Sequence, residues 1–386
     1  MTRLLQLVFR RIPIGWLQLT HNRARLFAAV AGIAFANLLV FVQLGVVASM
    51  TGTIEMTYAP FRADIIISPL RQQLVNGELV SRRVLYIALA DAAVADATPL
   101  YIGNADWKQS PSTTKSLIVY GMKPEAVAFA GATVGNQLAM LAPFGHVLID
   151  REIAGIDQLA EAGKSPPFEI NGHTVQAVGS FQLGSGFGAD GGLFVSDQTF
   201  QQLVRQRSTS TPSHVLIQVK PGETPAIVAA RLNARLAPEQ VQVRTMSQAV
   251  ADEINYMNTE APMGIIFGIG VFIGGLVGLV IVYQVLASDV AAHIKEYATF
   301  KAMGYPHRFL LGIVLEEALI MAFLGFVPGV ILGSGAYQIM AVATGLPLGM
   351  TPDRALAVLA GTFVACAVSG MLATFRLRSA EPADLF

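Results

Sequence analysis

Long apolar runs and short alternating segments divide this chain. Unbroken apolar runs at about 26–50, 262–287, 309–335 and 355–375 are each long enough to cross a bilayer as a helix. Between the first two lies a polar region of about 210 residues, large enough to fold around its own core. Short β-branched and aromatic runs there predict strands: 63–68 closed by Pro69, 116–121, 192–196, 215–219 and 241–245. Helical periodicity marks 84–97, with Pro99 beyond it, and 225–236. Asn171-Gly172, between Phe168-Glu169-Ile170 and His173-Thr174-Val175, predicts a hairpin. Residues 248–258 read as a helix heading for the second span; if continuous, it would join the outer region to the membrane. Strands so far apart in sequence predict two lobes.

Composition agrees with membrane insertion. Of 386 residues, 53% are hydrophobic and only 13% charged, against about 25% charged in soluble domains. Net charge is zero, so nothing favours a nucleic-acid partner. The first apolar run is longer than a signal-peptide core and lacks a small-x-small ending, so it reads as a span. Arg3, Arg10, Arg11, Arg23 and Arg25 precede it with no acidic residue among them. Lys295, Lys301 and Arg308 follow the second run, and Arg376 and Arg378 the fourth. The positive-inside rule then places both termini and the 289–308 connection in the cytoplasm, and the large domain outside. Leu4, Leu7, Val8, Ile12 and Trp16 give the N-terminal segment an apolar side for the inner leaflet; charge that merely sets topology explains it equally well, since Pro13 interrupts the helix.

The expected layout is a cytoplasmic amphipathic segment (1–25), spans at 26–50, 261–288, 309–335 and 355–375, an α/β domain at 51–260, a coupling segment at 289–308, an outer loop at 336–354 and a tail at 376–386.

Chemistry is sparse. The single cysteine, Cys366, lies in an apolar run and six scattered histidines form no ligand pattern, so no metal site is expected. Gly163-Lys164-Ser165 is not a Walker A loop, because Gln158 stands where the first glycine is required. ATP and Mg would therefore sit on a partner, with no cofactor on this chain. The glycine-rich stretch 184–192 leads into a strand, which offers no helix N-terminus to an anion. It reads as a flexible loop, with Gly186, Phe187 and Gly188 as a contact for an adaptor. Glu316 and Glu317 fall two turns inside the third span, where carboxylates are costly; a structural or coupling role, paired with Lys301 or Arg308, is expected. Gly264, Gly268, Gly270, Gly274 and Gly278 permit close helix approach, within one protomer or between two, and Pro328 should bend the third span. No nucleophile or acid–base pair stands out, so no catalytic residue is assigned.

Within 289–308, Ile294, Tyr297, Ala298 and Met303 fall near helical spacing while Lys295, Glu296 and Lys301 stay polar; Gly304 ends the helix and Pro306 prevents its return. Such a helix is too short to span and must lie at the surface. Spacing alone also fits an ordinary loop. The pattern Lys295-Glu296-Tyr297-Ala298-x-x-Lys301-Ala302-Met303-Gly304 resembles the coupling segment of MacB/FtsX/Lol-type ABC transporter permeases. Trp16-Leu17-Gln18-Leu19, Ala31-Gly32-Ile33-Ala34-Phe35-Ala36, Glu317-Ala318-Leu319-Ile320 and Gly325-Phe326-Val327-Pro328-Gly329 extend the resemblance, in order, to the DevC branch.

That resemblance implies an α-helical membrane protein with four spans and a MacB-like α/β domain, its porter-like lobe carrying an inserted lobe near 130–212. It also implies a homodimeric, non-catalytic exporter permease in the bacterial inner membrane. Its partners would be a DevA/MacB-like ATPase docked on Lys295, Glu296, Tyr297, Lys301, Met303 and Gly304, a DevB-like membrane-fusion adaptor, a TolC-like channel, and membrane lipids or glycolipids as cargo. An FtsX-like scaffold for a cell-wall hydrolase and Lol-like lipid or lipoprotein extraction are the alternatives.

Overall fold

The computed structural model describes residues 14–21, 23–70, 78–110, 113–153, 166–204, 208, 210–346 and 348–378. The expectations for Arg3, Arg10, Arg11, Pro13, Gly163-Lys164-Ser165 and 379–386 lie outside them, as do the side chains of Arg376 and Arg378. In chain order the helices are α1 (Ile14–His21), α2 (Arg23–Tyr58), α3 (Arg82–Leu89), α4 (Ala132–Gly135), α5 (Asp197–Leu203), α6 (Pro225–Leu236), α7 (Met246–Thr259), α8 (Pro262–Ala292), α9 (Ile294–Ala302), α10 (His307–Thr344) and α11 (Pro352–Arg378). The strands are β1 (Ile65–Pro69), β2 (Val94–Ser110), β3 (Thr113–Met122), β4 (His146–Asp150), β5 (Phe168–Ile170), β6 (His173–Phe181), β7 (Gly191–Ser196), β8 (His214–Val219) and β9 (Val241–Thr245). The chain forms two compact units, one of Met1–Ala48, Pro262–Ala343 and Leu348–Phe386, the other of Ser49–Ala261 with Thr344–Pro347.

In the second unit, β1, β8 and β9 with the first half of β2 form an antiparallel sheet in the order β2-β8-β1-β9. Helix α3 connects β1 to β2, and α6 connects β8 to β9. Val84, Leu85 and Ala88 of α3 and Val228, Leu232 and Leu236 of α6 bury against Ile65, Ile67, Val215 and Ile217. Two interlocked split βαβ units in this order make a ferredoxin-like lobe. Strand β2 does not stop at its edge. Val94–Leu100 pair with β8, and from Tyr101 the same strand pairs with β3. The series continues through β7, β4, β6 and β5, and the Trp107↔Ile170 pair brings β5 back to β2, closing six strands on themselves. One face gathers Leu117, Val119, Val147, Ile149, Leu193 and Val195 around Phe200 of α5. On the other, Phe194 stacks on Tyr120 and meets Phe181 edge-on, with ring centroids 4.9 and 5.0 Å apart.

Several expectations for this region change. The second sheet begins at Tyr101, well before 130, because one uninterrupted strand serves both lobes. The 84–97 helix ends at Leu89: the Asp91 carboxylate accepts from the Ala93 N–H, turning the chain, and Pro99 lies within β2 opposite Val215. The Asn-Gly hairpin forms between β5 and β6 with Asn171 and Gly172 both at positive φ (47° and 78°), as a type I′ turn requires. Helices α7 and α8 are separate. The Glu260 and Ala261 N–H groups both return to the Tyr256 carbonyl, and Pro262, without an N–H, opens the next helix.

In the membrane unit the four apolar runs become α2, α8, α10 and α11. Helix α10 extends to Thr344, past the expected limit of 335, and ends at Gly345 with φ +72°, so only a few residues connect it to α11. Buried Tyr337, in contact with Phe41 of α2, shows why: the helix goes on packing after its sequence turns mildly polar. Helix α2 runs between two glycine faces. Cβ atoms added at Gly325, Gly329 and Gly333 of α10 would meet Ile33, Asn37 and Phe41, and at Gly270, Gly274 and Gly278 of α8 they would meet Gln43, Val40 and Ala36. A Cβ at Gly329 would lie 2.8 Å from the Asn37 Cβ. Gly329→Leu is therefore expected to cost at least about 1–3 kcal/mol by overpacking. Gly335→Leu, where an added Cβ meets nothing within 4 Å, should leave the melt of the detergent-solubilised protein unchanged.

Candidate coupling site

Helix α9 lies between the second and third spans, offset from α8 at His293, whose N–H returns to the Asp289 carbonyl. Its C-terminal end is a Schellman motif: the Gly304 N–H bonds to Lys301 O, the Tyr305 N–H bonds to Phe300 O, and Gly304 has φ +89°. The accompanying apolar contact is present, with the Phe300 and Tyr305 ring centroids 5.8 Å apart and Phe309 joining both. The end of the helix is thus held rigidly against the start of α10.

The two faces of α9 differ. Lys295, Glu296, Lys301, Met303 and Gly304 are exposed, as an external docking surface requires. Tyr297 is 1% exposed and packs with Leu19, Leu310, Ile313 and Val314, which removes it from that surface. Burial, helped by the nearby Glu317 and Asp289 carboxylates, pushes its phenol well above the ordinary value of 10, so it stays a proton donor. Its hydroxyl donates to Gln18 Oε1 at 3.5 Å, and Gln18 Nε2 donates to Glu296 Oε2 at 3.2 Å.

Beneath this surface lies a buried polar group that sequence reading missed. Asp289, near the end of α8, is buried and forms an ion pair with Arg25 of α2 at 3.0 Å. His293 stands 3.5 Å from its second oxygen. Glu317 is fully buried beside Asp289 and Glu316. Arg25 of α2 is the cation paired with Asp289. An aspartate closing a long apolar run four residues before a histidine was the available signal; its partner, 264 residues away in sequence, was not.

Elsewhere the predicted residues separate. Gly270, Gly274 and Gly278 pack within the protomer, Gly264 is buried, and Gly268 has nothing within 4 Å of an added Cβ. The loop carrying Gly186, Phe187 and Gly188 is pinned at its base, where the buried Asp150 carboxylate accepts from the Leu183 and Gly184 N–H groups. Phe187 is 40% exposed, and a Cβ at Gly186 would strike Thr53, so this loop is more constrained than its composition implied. A cavity of about 280 Å³ lies among α2, α8 and α11, with Gly275, Gly361 and Cys366 on its wall. Among the described residues, no group of three or more His, Cys, Asp or Glu could hold a metal ion.

Four helices long and apolar enough to span a membrane, a large α/β domain and a short exposed helix between the second and third spans define the class as an α-helical membrane protein with a large extramembrane domain. The MacB-like periplasmic core domain matches residues 26–235, more than half of the chain, and the FtsX-like permease C-terminal region matches 267–382. The chain belongs to the MacB/FtsX-type ABC transporter permeases, an inner-membrane family with a periplasmic domain whose members act with an ABC ATPase. Among solved structures, the periplasmic region of MacB from Actinobacillus actinomycetemcomitans aligns at 9% identity and a TM-score of 0.35, over 53% of this chain and 96% of that one. The extracellular domain of the noncanonic ABC-type transporter YknZ from Gram-positive bacteria aligns at 12% identity and 0.33, over 47% and 98%. No curated protein matches the chain.

Arg25→Gln would leave Asp289 buried without its cation. Because the Arg25 side chain is 32% exposed, the expected loss is about 1–3 kcal/mol, below that for a fully buried pair. Adding Asp289→Asn should recover most of it in a thermal melt; a double variant as unstable as the sum of the singles would show that the two are uncoupled.

Proposed function

We propose that this protein is the permease subunit of an ATP-driven exporter that transmits ATPase motion to its periplasmic domain. In this reading two protomers pair, each docking an ATPase that binds ATP and Mg, with both termini in the cytoplasm. A membrane-fusion adaptor and an outer-membrane channel carry the cargo onward. The cargo is a lipid, glycolipid or other amphiphile. The observation that carries the reading is the division of α9 into a charged exposed face and a buried face locked to α10. A partner's push on such a helix has to move the spans rather than rotate the helix in place.

Further features support it. Helix α2 continues without a break from Arg23 to Tyr58, about 54 Å, and the Tyr58 hydroxyl donates to Glu253 of α7 at 2.7 Å. Helices α7 and α8 are broken at 260–261, whereas α2 has no such break. Basic Arg23, Arg25, Lys295, Lys301 and Arg308 share the side assigned to the cytoplasm. The cavity within the spans suits an amphiphilic cargo.

Purification of the tagged protein from its native membranes tests the assembly. An ATPase with a periplasmic adaptor supports a tripartite exporter; an ATPase with a cell-wall hydrolase and no adaptor replaces it with an FtsX-like scaffold. Charge reversal at both Glu296 and Lys301 should reduce ATPase co-purification about tenfold or more while leaving the melt unchanged, since both side chains are exposed. Undiminished binding would remove α9 as the docking site.

A further inference from the structure

The N-terminal helix α1 carries no role in the reading above, yet it touches the coupling helix and a span. Trp16 and Leu19 pack into the buried cluster that contains Tyr297, Leu310 and Ile313. At Gly15 the helix comes so close to α10 that an added Cβ would lie 2.8 Å from Glu317 Cγ and 3.1 Å from both the Glu317 nitrogen and the Ile313 oxygen. Gln18 faces the other way and holds α9 twice, donating to Glu296 and accepting from Tyr297. Just beyond α1, at the start of α2, Arg25 is paired with Asp289 of α8. Gly15 and Gln18 of this helix therefore reach α10 and α9, while Arg25 of α2 reaches α8.

We propose that α1 is the relay between the coupling helix and the membrane spans, and that Gln18 is its positioning residue. A displacement of α9 moves Gln18 through two hydrogen bonds, and the backbone contact at Gly15 passes the shift to α10. The amide suits this place because it donates to a carboxylate and accepts from a phenol at once. Leucine, of similar size, can do neither. The proposal rests on the reading of α9 as the ATPase-docking helix.

The test uses the full-length permease reconstituted with its ATPase, in a Cys366→Ser background with a fluorescent probe at Val342→Cys, a position 90% exposed on α10. ATPase co-purification reports docking, and the ATP-driven change in probe fluorescence reports transmission. Gln18→Leu should leave docking within about twofold and the melt nearly unchanged, yet reduce the fluorescence change about fivefold or more. Gln18→Lys, whose ammonium can still reach Glu296, should restore much of the signal; a merely structural role would give no such rescue. A full signal in Gln18→Leu overturns the proposal. So does a loss of docking in that variant, which would make Gln18 part of the docking surface instead. If the unsubstituted permease binds no ATPase or gives no ATP-driven signal, the exporter reading fails first, and the relay falls with it.

Discussion

Close approach of helices to α2 is the constraint on which the membrane unit depends. Lipid tails are as apolar as leucine side chains, so burial from water does not draw helices together inside a bilayer; close contact and hydrogen bonding do. Glycines at four-residue intervals on α10 and on α8 place both backbones against α2. That closeness also orders the polar contacts. Asn37 of α2 lies under Gly329 and accepts from the Thr362 hydroxyl of α11 at 2.8 Å, and the Ser369 hydroxyl of α11 donates to Leu279 O of α8 at 2.9 Å.

At one end of these helices the packing becomes electrostatic. Three buried acidic side chains, Asp289, Glu316 and Glu317, gather where α8 and α10 meet the segment leading into α2. Charge that far from water needs a counter-charge or hydrogen bonds, and Arg25 supplies the ion pair to Asp289. Helix α9 sits beside this group, with Tyr297 turned inward and the charged residues of α9 turned outward. A surface helix with one face held by a buried polar network can bear load. A loop of the same composition, free to bend, could not.

The outer unit solves a different problem. A ferredoxin-like sheet of four short strands has two edges open to pairing with other chains. Here one edge strand, β2, is carried on past Leu100 and becomes the first strand of the second sheet. The chain therefore enters the inserted lobe along one 17-residue strand. The hairpin at Asn171 reinforces the closure: its side chain accepts from the Asp106 N–H of β2 and donates to Leu203 O.

The sequence by itself determined the elements whose signal is local. The apolar runs were legible as spans because each helix must satisfy its own backbone in the membrane. Asn171-Gly172 and Gly304 were legible because only certain residues tolerate positive φ. The exposed half of α9 could be read from its charges. The tertiary structure decided what depends on distant partners. That Tyr297 faces inward depends on Gln18 and on α10. That the α8 glycines serve the protomer depends on Ala36, Val40 and Gln43, more than 200 residues earlier. That Asp289 matters depends on Arg25. A strand shared by two lobes and a helix ending at Leu89 instead of Ala97 were hidden because residues such as Ala95, Asp96 and Ala97 carry weak local preferences, and pairing with β8 outweighed them. Periodicity shows which face of an element is apolar. Which neighbour covers that face is settled by the packing of the whole chain.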